Sequence, residues 1–448
     1  MSDSFDVTKY NIANEHTPLS EQLTAHYKKS YAFYTMSTRV PIILTTIIDR
    51  LTREKDNINA KYGELSKDEL KQCIGEISKL KYEVQTDKEM RELPGNESDQ
   101  YEWNKLIKDI APNNTYFSAV WLYSECYVYR RLKSIFEETV SLKDFDYFEQ
   151  PKEIELSKSL PVISSVIKSV QEFSSVFRTS SEIEEFFCNL LKQDLWGNRN
   201  DLSITLGEEI EANTCNPLDK ANIEKFNSDL LIDQTHDIYK CLNIDKENKI
   251  VDVICDNSGF ELLSDLILCD FIIHHKLASK IRFRVKTIPW FISDVTSKDF
   301  YYTLSELEKS EDETLREASN KWKKYLENGQ FVLEPAHHFF TSAYEFYKME
   351  RIAPDLYQSI AESYLAIFKG DLNYRKLLGD INWNPTSDFR TALNNFQPTN
   401  LCAMRTVKAD LICGLKPGQY EDLWEMDEKW MTTGQYGVIQ FVEKKSAA

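Results

Sequence analysis

The stretch KIVDVICD, residues 249–256, is a short apolar run rich in Val and Ile. Asn257, Ser258 and Gly259 follow it, and then Leu262, Leu263, Leu266, Ile267 and Phe271 recur at helical spacing. Residues 281–286, IRFRVK, then alternate apolar and basic side chains. Strand, tight turn, helix and strand predict a β-α-β unit with parallel strands and a right-handed crossover. Residues 364–368, 401–405 and 437–442 are further strand candidates. Upstream the period becomes helical: Val40, Ile43, Leu44, Ile47, Ile48 and Leu51 share one helix face. Capping boxes are read at Ser66 with Glu69 and at Ser181 with Glu184. Helices are expected over 120–136, 162–177 and 181–196, a long loop over 91–116 and a linker over 207–220. The fold expected is an α/β sandwich (186–448) behind an all-helical N-terminal domain (1–185).

Composition narrows the function. At 448 residues the chain is long enough for two or three domains of roughly 100–200 residues. Hydrophobic residues at 42% and aromatics at 12% supply a substantial core. Aliphatic runs such as 40–44 fall far short of the roughly 20 residues that span a bilayer. Residues 1–10 are polar and acidic and carry no readable secretory signal, so the cytoplasm is expected, with the nucleus as an alternative. Nine cysteines without a C-x-x-C pair read as free thiols. With 54 Lys and Arg against 72 Asp and Glu, the formal charge of -18 disfavours nucleic acid and anionic membranes as partners.

In open parallel sheets ligands bind at the carboxyl ends of strands. Asp256 and Asn257 end the first strand, Asp294 closes residues 288–294 (IPWFISD), and Asp371 follows the run 364–368. Two carboxylates and an amide offer only oxygen donors, which suit a hard divalent cation better than zinc. Asp256 and Asn257 equally suit a helix cap. Lys369, Arg375, Lys376, Arg405 and Lys408 cluster after two predicted strands and would form a phosphate pocket, or else be solvated loop charges. No Walker A sequence, dinucleotide G-x-G-x-x-G or G-x-S-x-G elbow is present, and the pairs His274-His275 and His337-His338 lack metal-ligand spacing.

LWGNRNDLS (195–203), DNSGFELLSDLILCDF (256–271), KTIPWFISDVTSKDF (286–300), APDLY (353–357), FKGDLNYRKL (368–377) and RTVKAD (405–410) together resemble the metal-dependent damage-control phosphatases, in the branch marked by R-T-x-K. Weaker likeness extends from 39–51 to 436–441, over nearly the whole chain. The resemblance implies a three-layer α/β/α sandwich with a largely parallel central sheet and a metal-dependent phosphomonoesterase. It places the metal ligands on Asp256, Asn257 and Asp294. Substrate contacts fall on these three and on Asp371, Leu372, Asn373, Tyr374, Arg375 and Lys408, with Lys408 also catalytic. The metals implied are Mn²⁺ or Ni²⁺, then Co²⁺ or Mg²⁺. The substrates implied are sugar phosphates such as fructose 1-phosphate and fructose 6-phosphate, removed before they glycate cell components. Either water or the Asp256 carboxylate is the attacking group. The rival readings are an S-adenosylmethionine-dependent carboxyl methyltransferase, for which no glycine-rich loop follows the first strand, and a binding module that has lost its chemistry.

Overall fold

The computed structural model describes residues 12–197, 218 and 220–445. Seven strands form one sheet in the order β1-β7-β6-β5-β2-β3-β4. They are β1 (Leu230–Asp233), β2 (Ile250–Ile254), β3 (Lys280–Arg284), β4 (Phe331–Leu333), β5 (Leu365–Lys369), β6 (Asn400–Thr406) and β7 (Gly437–Val442). Neighbouring strands pair in parallel except β6 and β7, which are antiparallel. The unbroken apolar runs of β2, β5 and β6 follow from burial on both faces. Val251, Val253, Leu365, Ile367, Cys402 and Met404 pack into one core with residues of helices Glu149–Ser174, Ser180–Gly197, Phe260–His274, Ser297–Lys309 and Glu313–Glu327. Ile254, Ala366, Phe368, Leu401 and Ala403 face the other way, into a core shared with helices Val40–Arg53, Ser66–Gln85 and Trp121–Glu137. The result is the expected α/β/α layering, with helices Val40–Arg53, Ser66–Gln85 and Trp121–Glu137 on one face and helix Glu149–Ser174 on the other, so the helices of 1–185 are divided between the two faces and the expected boundary falls inside helix Ser180–Gly197.

Local expectations fail where tertiary contacts override short-range pattern. β1 and β4 are too short to announce themselves. The presumed loop 91–116 contains helix Gln100–Asp109, and the helix expected from Val162 begins at Glu149 and runs through Pro161. Ser66 lies inside its helix, donating to Asn59 Oδ1 (3.0 Å) and Gly63 O (2.6 Å), while Glu69 accepts from the backbone N–H groups of Val140 and Ser141. The second capping box forms two residues earlier than expected, between Thr179 and Glu182. The arginines of β3 do not face solvent: Arg282 grips the fully buried Asp252 of β2 at 2.6 and 3.0 Å, and Arg284 reaches the same carboxylate at 3.3 Å. Asn198 to Ser203 of the LWGNRNDLS motif and most of the expected linker lie outside the described residues.

One carboxylate from the helical layer holds the helix that follows β2. Glu155 accepts from Phe260 N at 3.0 and 3.2 Å, just beyond Gly259, the N-cap of helix Phe260–His274. Burial pushes Glu155 from an ordinary 4.5 to about 7. As pH rises, the unfolded chain therefore releases this proton first, and the stability linked to Glu155 falls between about pH 4.5 and 7 before levelling. Glu155→Gln removes the proton from the balance. Urea denaturation at pH 5 and 7.5 should show the variant gaining on wild type by at most about 3 kcal/mol at the higher pH; a difference independent of pH would contradict this.

Candidate active site

Strand order positions the site. From β2 the chain moves to β3 and β4 on one side, whereas from β5 it moves to β6 on the other. That reversal opens a crevice at the carboxyl ends of β2 and β5. Asp256 and Asn257 lie just beyond β2, and Gly370 opens helix Gly370–Leu377 directly beyond β5. Asp294 arrives on the loop after β3, which is laced to the end of β2. Val295 N donates to Asp256 O (2.9 Å), Ser258 N donates to Ser293 O (2.8 Å), and Asn257 forms an antiparallel bridge with Asp294. The backbone is strained on the way in: Phe291 and Ile292 have φ of 42° and 71°, a region that a β-branched residue enters only under constraint. Asp256 and Asn257 do not cap the helix, whose N-cap is Gly259.

These groups line one pocket. The α/β half contributes Asp256, Asn257, Asp294, Asp371, Leu372, Arg375 and Lys408, and Phe291 comes with the strained loop. Tyr31, Arg39, Trp121 and Glu125 come from the helical region. Asn373 and Tyr374 are turned away, because residues two and three positions beyond Asp371 fall on a different face of the helix from Leu372 and Arg375. Asn373 Nδ2 donates to Lys369 O (2.7 Å), and the Tyr374 hydroxyl donates to Gln440 Oε1 (2.7 Å) in the core.

The basic cluster also divides. Lys376 donates to the carbonyls of Phe339 and Ser342, and Lys369 is held by three carboxylates on helices Ser180–Gly197 and Phe260–His274. Arg405, fully buried, pins Asp371 at 2.6 Å and the carbonyls of Leu411 and Ala409. Of the five, only Arg375 and Lys408 reach the pocket. Arg375 is matched by Asp380 (2.8 and 3.1 Å) and Glu125 (2.6 Å) and lies 3.5 Å over the Trp121 ring. Burial pushes Glu125 upward, against the pull of Arg375 and Arg39. The sequence reading missed Arg39. It ends a π-helical turn, Thr35–Arg39, immediately before helix Val40–Arg53; such turns often mark functional positions.

The oxygen side fits a divalent cation. Asp256, Asn257 and Asp294 are buried at the same crevice. Among the described residues no three or more His, Cys, Asp or Glu side chains form a metal cluster; the donor set here has two carboxylates and an amide. Asn257 spends both amide protons, on Asp256 Oδ2 (3.1 Å) and Glu261 Oε2 (2.8 Å). Its Oδ1 accepts only from the Ser293 hydroxyl (2.6 Å), which leaves one lone pair. Lys286 stands 2.8 Å from Asp294 Oδ2. Burial opposes its charge, but Asp294 and Asp256 outweigh that and hold it above the usual lysine range.

A doubly wound α/β protein with an acid-and-amide pocket at its switch point is therefore the class defined by fold and site. The profile of the Damage-control phosphatase ARMT1-like domain matches residues 35–423, and the chain belongs to that family of phosphatases. Damage-control phosphatase ARMT1 of Danio rerio is 37% identical over 437 residues, covering 94% of this chain and 96% of the relative. The Homo sapiens protein of the same name is 36% identical over 427 residues, covering 92% and 96%. A crystal structure of a DUF89 family protein from Pyrococcus horikoshii is similar over 83% of this chain and 95% of that one, at 13% identity and a TM-score of 0.40.

The crevice depends on a missing side chain. Gly370 has φ +85°, and a Cβ there would lie 1.9 Å from Asp256 Oδ2. Gly418 has φ +84° with nothing within 4 Å of its would-be Cβ. In thermal denaturation under chelator, Gly418→Ala should cost about 1 kcal/mol for backbone alone, and Gly370→Ala about 2 kcal/mol or more. Equal losses would mean that the approach of Gly370 to Asp256 carries no constraint.

Proposed function

We propose that this chain is a metal-dependent phosphatase of sugar phosphate monoesters, fructose 1-phosphate and fructose 6-phosphate among them, serving metabolite damage control in the cytoplasm. The observation that carries this reading is the pocket at the β2/β5 reversal, lined by Asp256, Asn257 and Asp294 together with Lys408, Arg39 and Arg375. The three oxygen donors would hold Mn²⁺, Ni²⁺, Co²⁺ or Mg²⁺, which when bound supplies charge neutralisation at the phosphoryl group and a Lewis-acidic centre. Lys408 and Arg39 bring positive charge to the phosphoryl oxygens as charge develops on them. Arg375, already matched by Asp380 and Glu125, orients the acidic wall. Glu125 and Asp371 offer carboxylate oxygens that accept from sugar hydroxyls; Asn373, packed in the core, takes no such role.

The test is phosphate release from fructose 1-phosphate with and without chelator, for wild type and Asp294→Ala. Chelation should abolish turnover, and Asp294→Ala should lower kcat/KM by at least about 10²-fold with an unchanged circular dichroism spectrum. Undiminished turnover in either case overturns the assignment. Methyl transfer to protein carboxylates that ignores chelator would instead favour the S-adenosylmethionine reading.

A further inference from the structure

A cluster of fully buried charges lies behind Asn257, and the hydrolytic reading does not use it. Lys369 Nζ lies 2.7 Å from Asp194 Oδ2, 2.7 Å from Asp265 Oδ1 and 3.4 Å from Glu261 Oε1, and none of the four side chains is more than 1% exposed. Burial pushes the carboxyls of Asp194 and Asp265 upward, against the pull of Lys369. Three acids around one ammonium in a dry interior make a poor source of stability. What the cluster touches explains its place. Glu261 Oε2 accepts from Asn257 Nδ2 at 2.8 Å, and on the other side of the amide the Ser293 hydroxyl donates to Oδ1 at 2.6 Å.

We propose that Glu261 and Ser293 are positioning residues that fix which way the Asn257 amide faces, with Lys369, Asp194 and Asp265 holding Glu261 for that purpose. The inference rests on the metal site proposed above. A primary amide has two faces of nearly equal shape: rotated by half a turn, Asn257 would present N–H groups to a cation in place of an oxygen. The Ser293 hydroxyl alone does not choose between the two faces, because it can donate or accept; with Glu261 in place it donates to Oδ1 and holds the chosen face. A carboxylate oxygen accepts, and Glu261 Oε2 takes its hydrogen bond from the amide nitrogen, so Glu261 selects the nitrogen and leaves the oxygen as donor. Its own geometry is set by Lys369, which is gripped by carboxylates from two helices. Outer groups that orient metal ligands typically change affinity about 10–100-fold when removed.

The experiment is calorimetric titration of metal-free, full-length protein with Mn²⁺, for wild type, Glu261→Leu, Glu261→Gln and Ser293→Ala, alongside circular dichroism and melting under chelator. Wild type binds Mn²⁺; Glu261→Leu should bind about 10–100-fold more weakly. Glu261→Gln keeps the shape but can donate as well as accept, so it should also weaken binding, with a chelated melting curve near wild type. Ser293→Ala should weaken binding about tenfold while its chelated melting curve stays near wild type. Wild-type affinity in both Glu261→Leu and Ser293→Ala overturns the positioning role, as does wild-type affinity in Glu261→Gln. Should Glu261→Leu fail to fold, Ser293→Ala decides: undiminished affinity overturns the proposal. Absence of Mn²⁺ binding in wild type overturns the metal-site reading itself, a result distinct from either.

Discussion

The closeness of the Gly370 backbone to the Asp256 carboxylate, where β5 meets β2, is the constraint on which the molecule turns. Parallel pairing of these strands brings their carboxyl ends side by side, and the reversal of chain direction leaves the space above them uncovered by either crossover. A side chain at position 370 would fill that space. Without one, the acid of β2, the amide next to it and the loop carrying Asp294 share a single crevice.

The charges around the crevice are held by other charges. Arg405 fixes Asp371, Lys286 stands against Asp294, and Arg375 is shared by Asp380 and Glu125. Asp380 also accepts from Leu122 N at 2.7 Å, and Asp410 accepts from Tyr31 N. Acids of the α/β half thereby bind backbone N–H groups of the helical region beside Trp121 and Tyr31, both of which line the pocket. The helical layer is thus part of the site wall as well as part of the core. Breaking one partner of such buried pairs leaves an uncompensated charge, which costs more than the pair ever contributed.

What the sequence made legible follows the physics of strand ends. Asp256, Asn257 and Asp294 stood out because polar residues that close apolar runs in a parallel sheet have few places to point, and five of the seven strands were read near their observed bounds. The segment after β5 was harder. FKGDLNYRKL supplies Asp371, Leu372 and Arg375 to the pocket, but helical periodicity sends Asn373 and Tyr374 into the core, and consecutive motif letters conceal that split. Lys369, Lys376 and Arg405 looked like free phosphate binders because composition does not show that each already has buried partners. Arg39 was passed over as the entry to an amphipathic helix. Its signal was a basic residue directly before Val40-Pro41, and the π-helical turn that delivers it has no short-range signature.

The proposed function requires Asp256, Asn257 and Asp294 to hold one dication between them. Crystals of the metal-free protein soaked in Mn²⁺ and measured on both sides of the manganese absorption edge test it most directly. An anomalous peak within coordinating distance of Asp256, Asn257 Oδ1 and Asp294 is the expected result. A peak elsewhere, with the crevice empty at saturating Mn²⁺, would contradict it.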